Sequence, residues 1–445
     1  MVVQDAFTPA ERTLVSDGEA NVVLSARKAF HATLRVDLVA GVEQLTDRTV
    51  IAFFSEDAID PEIALASFLL APSVVASMRD VEGARSDFAS RSRRTALGFA
   101  AMRAVTFQAP GVVRVEERPE PELLSPDDVV VRIEATGVCG SDLHIFHGRV
   151  KIEPGFTIGH EYVGTAIAVG DTVTRIAVGD RVLGCFQTAC GECFFCRRGD
   201  YHRCVESRTF GHGAALGSLQ GTQADMALVP RANLVLRRVP EGMSDETALF
   251  AGDVMGTGFH GVVTSGMRPG DVVAVLGLGP VGLCAVQAAR ALGAAHVFAI
   301  DTVEARLAMA AQFGAEPIHM GEQDVRDATR AATEGRGVDV CIDAVGDARV
   351  LDTAVRITRA CGTVQCTGVY AERAEVHMGL LWLKALTLRG GQANVIGQLD
   401  RVLAMLAAGV LDPTPLVTHW MSLDEAEEAY ALYDRREALK ILLRP

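Results

Sequence analysis

The sequence has no surplus of positive charge: 42 Lys and Arg stand against 56 Asp and Glu, giving a formal net charge of −14 at pH 7. Nucleic-acid affinity rests on clustered cations that release counterions from phosphates, so this balance excludes a broad DNA- or RNA-binding surface. Uninterrupted apolar runs are lacking too. The longest stretch without a charge, Val272 to Ala289, is about as long as a short membrane span. Gly277, Gly279, Pro280 and Gly282 cut it into an apolar strand, a tight turn and a helix start, so no membrane partner is expected. Met1 to Ala10 carries acidic and polar groups and no apolar leader, which makes a cytoplasmic location the expectation. Tandem repeats and low-complexity blocks are also absent from the sequence.

What is present is globular: 49% of the 445 residues are hydrophobic and 22% charged, and a chain of this length is expected to form two to four domains. Upstream, Phe30, Leu34, Leu38, Val42 and Leu45 recur every three to four residues and predict an amphipathic helix over Asn21 to Leu45. The apolar runs Thr49 to Phe54 and Ala64 to Leu70 are each candidate strands, and Ala84 to Arg94, rich in Arg and Ser, reads as an exposed connector. Beyond Met102 the pattern shifts to short alternating runs. Arg103 to Phe107, Val112 to Glu116 and Val129 to Ala135 predict an antiparallel, barrel-like β domain. From Asp271 on, Val272 to Leu276, His296 to Ile300, Val338 to Ile342 and Gly362 to Thr367 alternate with helical stretches, the pattern of βαβ units in a parallel sheet.

Three constellations carry chemistry. Cys190, Cys193, Cys196 and Cys204 place three thiols at every third position and a fourth eight residues on, a spacing that closes a tetrahedral zinc site with no open position. Unpaired thiols in a Cys-rich loop are the bland alternative. Cys139 and His160 sit beside glycines in GVCGSDLHIFHG and GHEYVG, and are ligands of the kind zinc prefers. Gly277, Gly279 and Gly282 form GxGxxG between a strand and a helix, with Asp301 at the end of the next strand. A pyrophosphate on the helix N-terminus and a ribose held by Asp301 follow from that arrangement. Asp301 repels a 2′-phosphate and Thr302 supplies no cation to offset it, so NAD is expected rather than NADP. The remaining Cys185, Cys284, Cys341, Cys361 and Cys366 read as buried small hydrophobes.

Taken together these motifs resemble the zinc-dependent medium-chain dehydrogenase/reductase family, the group of alcohol, polyol, threonine and formaldehyde dehydrogenases, over Met102 to Pro445. The resemblance implies an α/β fold: a GroES-like β-barrel catalytic domain plus a Rossmann doubly wound parallel sheet, here with a small α+β N-terminal extension. The implied division is an accessory domain over 1–85, a linker over 86–101, the catalytic domain with its zinc loop over 102–255, the NAD-binding domain over 256–390, and a return to the catalytic domain over 391–445. Cys139 and His160 match the first two catalytic zinc ligands, and Glu161 matches a neighbouring carboxylate that approaches the metal. The third ligand position, usually Cys, is Asp253 in FAGDVMGTGFHG, which resembles the formaldehyde dehydrogenase and aldehyde dismutase branch. An oxygen donor returns less electron density and leaves a stronger Lewis acid; a helix N-cap carboxylate is the alternative for Asp253. Ser141 and His144 match a proton relay, His144 having a solvated loop histidine as its alternative.

The resemblance therefore implies two zinc ions per chain, one catalytic and one structural, and NAD. It also implies a small alcohol or aldehyde substrate and a homodimer or homotetramer. An aldehyde dismutase that keeps its NAD bound is the enzymatic alternative, and a non-catalytic cofactor-binding protein of the same fold the alternative of another class. Upstream, TPAERTLVSDGEANVVLSARKAF, VEQLTDRTVIAFFSED and DPEIALASFLL resemble the later part of a small bacterial domain of uncharacterised function, without its opening strand.

Overall fold

The computed structural model describes Val2–Gln4, Val50–Ala58, Ile63–Leu70, and residues 101–370 and 372–445. The chain divides into two compact units, Met1–Leu97 and Gly98–Pro445. In the first, β1 (Val2–Gln4), β2 (Val50–Ala58) and β3 (Ile63–Leu70) form an antiparallel sheet in the order β1-β3-β2. Both apolar runs of this region are strands. The helix expected over Asn21 to Leu45 and the connector Ala84 to Arg94 lie outside the described residues.

The second unit opens with antiparallel strands: β4 (Ala101–Ala109), β5 (Val112–Pro119), β6 (Val129–Val138), β7 (Phe156–Thr157), β8 (Tyr162–Val169), β9 (Arg181–Gly184), β10 (Met226–Val229) and β11 (Leu236–Arg238). Strands β5-β4-β7 make one small sheet; β11, β9, β8 and β6 make a larger one, with β10 also paired to β6. The valines of β6 are buried and its Arg132 and Glu134 exposed, the alternation of a strand with one wet face. A helix α1 (Gly140–Phe146) follows β6 directly.

Next comes α2 (Val254–Ser265), then the parallel sheet β12 (Val272–Leu276), β13 (His296–Asp301), β14 (Glu316–His319), β15 (Val338–Asp343), β16 (Thr358–Cys366) and β17 (Thr387–Gly390). Its order is β14-β13-β12-β15-β16-β17, all parallel, so the direction of winding reverses between β12 and β15. Ligands bind at such a switch point, outside the carboxyl ends of the strands. β12 reads VVAVL and is buried over four of its five residues, as a central parallel strand covered on both faces must be. Helix α3 (Pro280–Ala291) packs closely on α2: a Cβ on Gly258 would come within 2.7 Å of the Ala285 nitrogen, so only glycine lets the helices approach this far. The chain ends with β18 (His419–Ser422), α4 (Ala426–Asp434) and β19 (Ile441–Arg444), and β19 joins the first sheet beside β6.

One expectation fails here. Cys361 is exposed, not a buried hydrophobe, and stands at φ 57° just before Gly362, because β16 begins earlier and runs irregularly before settling into register with β15. Cys366 is half-buried, while Cys185, Cys284 and Cys341 are buried as the apolar runs around them suggested.

Candidate active site

Tight turns bring three distant segments together. Cys139 ends the β6 connection and starts α1, where its backbone N–H donates to Asp142 Oδ2 at 2.9 Å. His160 precedes β8. Asp253 stands at the start of α2, and its carboxylate caps no N–H of that helix. Instead Asp253 Oδ2 lies 3.4 Å from Cys139 Sγ and 3.3 Å from His160 Nε2, while Thr257 Oγ1 donates to Oδ1 at 3.2 Å. The helix-cap alternative for Asp253 is thereby unsupported. Ligand atoms of Cys139, His160, Glu161 and Asp253 all fall within 4.8 Å of one another, and Ser141 Oγ lies 3.2 Å from His160 Nε2.

Electrostatics prepares this cluster for a cation. Burial works to raise the Asp253 carboxyl, but the hydrogen bond and charge of His160 outweigh it and hold the group at about 2. Burial pushes the Cys139 thiol up, and the Asp253 charge adds to it. A buried donor set of thiol, imidazole and two carboxylates is costly without a metal and matches zinc chemistry with it. Glu161 Oε2 is buried and, among the described residues, has no hydrogen-bond partner.

Sequence reasoning missed the supports of this set. Asp142 Oδ1 lies 3.1 Å from His160 Nδ1, the carboxylate behind a ligand imidazole that fixes its tautomer. Lys440, just before β19, is entirely buried; its Nζ donates to Glu161 Oε1 at 2.5 Å and to the Val138 carbonyl at 3.1 Å. The Asp three residues after Cys139 was a legible helix-start signal, whereas nothing local marks Lys440. His144 lies one turn along α1, half-buried, and burial followed by the charge of Arg149 lowers its pKa, so the ring is neutral at pH 7.

The glycine loop has a division of labour that the clashes make visible. Gly277 turns at φ 86°, a Cβ on Gly282 would strike the Gly277 carbonyl at 1.9 Å, and a Cβ on Gly279 would meet nothing within 4 Å. The open side of Gly279, at the N-terminus of α3, is the space a pyrophosphate needs. Asp301 ends β13, but its carboxylate is already engaged: Oδ2 accepts from Leu278 N at 2.6 Å and Oδ1 from Thr302 N at 2.6 Å and Val303 N at 3.0 Å. Arg306 Nη1 lies 3.9 Å from Oδ2, a cation that the sequence reading did not consider.

The four loop thiols also converge within 4.8 Å. Backbone N–H groups point at the sulfurs, from Cys193 to Cys190 Sγ at 3.3 Å and from Cys190 to Cys204 Sγ at 3.1 Å. The N–H groups of Cys196 and Val205 lower the Cys193 thiol to about 6, while burial pushes Cys196 up to about 12. All ten cysteines are free.

Residues 125–241 match the family model of the alcohol dehydrogenase GroES-like domain, and residues 280–408 that of the zinc-binding dehydrogenase. Residues 1–71 match the model of a Na+-translocating membrane potential-generating system (MpsC). A zinc-binding alcohol dehydrogenase of Mycobacterium tuberculosis is 39% identical over 77% of this chain and 89% of its own. The solved alcohol dehydrogenase of Thermus sp. ATN1 is 43% identical with a TM-score of 0.74, covering 77% of this chain and 99% of that one. A zinc-binding dehydrogenase of Sinorhizobium meliloti 1021, solved bound to NADP, is 30% identical with a TM-score of 0.71 over 78% of this chain and all of its own. Barrel and parallel sheet thus agree with relatives matched over most of their length, and the chain belongs to the zinc-dependent medium-chain dehydrogenase family of alcohol dehydrogenase-like oxidoreductases.

Proposed function

We propose that this chain is an NAD-dependent dehydrogenase of small alcohols or aldehydes with one catalytic and one structural zinc. The observation that carries the reading is the convergence of Cys139, His160 and Asp253 on one point, with Glu161 beside them. Zinc held there supplies Lewis acidity toward a substrate oxygen, and NAD supplies the hydride acceptor. The protein's own groups do the rest. Asp142 holds His160 so that Nε2 faces the cluster. Ser141, beside His160 Nε2, takes the proton of the substrate hydroxyl, and His144 passes it outward as a neutral base. Gly279 leaves room for the pyrophosphate, and Asp301 accepts from the ribose hydroxyls. The Cys190, Cys193, Cys196 and Cys204 loop holds the second zinc and staples the fold.

The same reading divides the chain at 1–85, 86–101, 102–255, 256–390 and 391–445, and assigns it a homodimer or homotetramer. Among the described residues no helix is long and apolar enough to cross a membrane. The test is NADH formation by the zinc-loaded protein with short alcohols and with aldehydes. No turnover on any of them, despite two zincs per chain, defeats the reading; aldehyde turnover without added NAD turns it into a dismutase.

A further inference from the structure

One imidazole beside the metal-ligating cluster has no role in the chemistry above. His212 lies in the loop between Phe210 and Leu219, and its ring meets that of His160 edge to face with centroids 5.3 Å apart. Its position is built. A Cβ on Gly211, at φ 70°, would come within 2.6 Å of the Gly159 carbonyl, so the loop is locked against the residue before His160. A Cβ on Gly213 would come within 2.6 Å of Ile152 Cγ2, which closes the loop from the other side. The backbone is pinned as well, by Phe210 N to Phe186 O at 3.0 Å and Gly211 N to Leu219 O at 2.9 Å. Two glycines and two ladder-like hydrogen bonds hold one histidine against a ligand histidine.

The tautomer follows from the contacts. His212 Nδ1 lies 2.7 Å from the Phe210 carbonyl, which can only accept, so Nδ1 carries the proton and Nε2 is left as an acceptor. Among the described residues, Nε2 has no hydrogen-bond partner, and it is not among the buried orphan atoms, so it is open to a ligand. An apolar pocket wall for simple alcohols needs no such group. Phe186, whose ring lies 6.3 Å from that of His160, already provides one.

We propose that His212 is a specificity-determining residue whose Nε2 accepts a hydrogen bond from a second substrate hydroxyl, on the carbon next to the reacting one, so that the site favours vicinal diols over mono-alcohols. The proposal rests on the dehydrogenase reading. A hydroxyl directed to the metal by Cys139, His160 and Asp253 and a neighbouring hydroxyl directed to His212 fix the substrate at two points, which orients the reacting C–H bond as well as selecting the substrate. A site built to pair a hydroxyl rejects an analogue that lacks it, because its polar group is left unpaired.

The test compares 1,2-propanediol with 1-propanol, as kcat/KM in the zinc-loaded protein with NAD. His212→Phe lowers the diol-to-propanol ratio about 10- to 100-fold, and His212→Gln, which keeps an acceptor at similar reach, restores most of it. An unchanged ratio in His212→Phe overturns the proposal. A second measurement needs neither a variant nor turnover: diethyl pyrocarbonate acylates an unprotonated imidazole nitrogen, and its reaction at residue 212 is followed by mass spectrometry in the wild type without NAD. Slowing by 1,2-propanediol and not by 1-propanol supports the role; equal slowing, or none, overturns it. Zinc content and NADH formation from 1-propanol report the dehydrogenase reading separately, so the two fail independently.

Discussion

Lys440 and Glu161 form an ion pair with both side chains wholly buried, Nζ to Oε1 2.5 Å, although 279 residues separate them. The residue just before the last strand thus reaches back to hold the carboxylate that lies beside Cys139, His160 and Asp253. Among the described residues, Glu161 Oε2 is left without a hydrogen-bond partner. Breaking one partner of a buried pair leaves a bare charge, so Lys440→Met should cost about 3–5 kcal/mol of stability. Pairing it with Glu161→Gln should recover much of that loss, because no unpaired charge then remains. Urea unfolding of both single variants and the double variant measures the coupling; purely additive losses contradict the pair.

The Cys190, Cys193, Cys196 and Cys204 loop should hold one zinc whose loss weakens the whole fold. Cys193→Ser is expected to bring zinc from two per chain to one and to lower the melting temperature by about 5–10 °C. Elemental analysis of the wild type showing fewer than two zincs would remove the basis of this prediction.

Zinc uptake at the other site should depend on pH with a defined sign. Burial and Asp253 raise the Cys139 thiol above its ordinary value, so it is protonated at pH 7 in the metal-free protein. A thiolate ligand requires that proton to leave, and His160, which burial works to lower but the charge of Asp142 raises well above its ordinary value, must lose one too, so affinity rises with pH by more than the roughly tenfold per unit of a single proton. Asp253 adds no such dependence there, since it is held at about 2. Competition against a chelator between pH 6 and 8 reads the slope, and Cys139→Ser should lower it by the share of one proton while the His160 share remains.

Cofactor choice turns on two residues rather than one. Asp301 ends β13 and repels a 2′-phosphate, but Arg306 lies 3.9 Å from its carboxylate. Removing the acid unmasks the cation. Asp301→Ser should therefore raise kcat/KM for NADP relative to NAD by roughly tenfold or more, and Arg306→Ala added to it should erase the gain. A wild type that turns over faster with NADP contradicts the role given to Asp301.

How far the sequence carried depends on whether a site is local. The four loop thiols and Gly277, Gly279 and Gly282 each lie within one short segment, so spacing alone expressed their geometry. Strand periods marked the barrel and parallel sheet for the same reason. Asp142 behind His160, Lys440 behind Glu161 and His212 beside His160 arise from chain segments brought together only by tertiary packing; Asp142 was legible as a helix start but not as the partner of His160, and no local pattern marks Lys440 or His212. Cys361 misled because an apolar run predicts burial on average, while a strand's irregular start turns one side chain outward.

Asp253 decides both the metal chemistry and the branch of the family. Its carboxylate caps no backbone N–H of the helix it begins, and its Oδ2 meets Cys139 Sγ and His160 Nε2 instead. Asp253→Ala should strip the catalytic zinc and leave the Cys190, Cys193, Cys196 and Cys204 zinc in place, so that one metal per chain remains. Turnover should fall by at least about a thousandfold, since an open-site metal is what polarises the substrate oxygen. NAD should still bind, because Gly279 and Asp301 lie on other elements. Asp253→Cys, which restores the donor more usual in the family, should regain the second zinc with a softer, less Lewis-acidic site and only part of the rate. Two zincs and near-normal rates in Asp253→Ala would transfer the ligand role to Glu161, whose carboxylate lies in the same cluster.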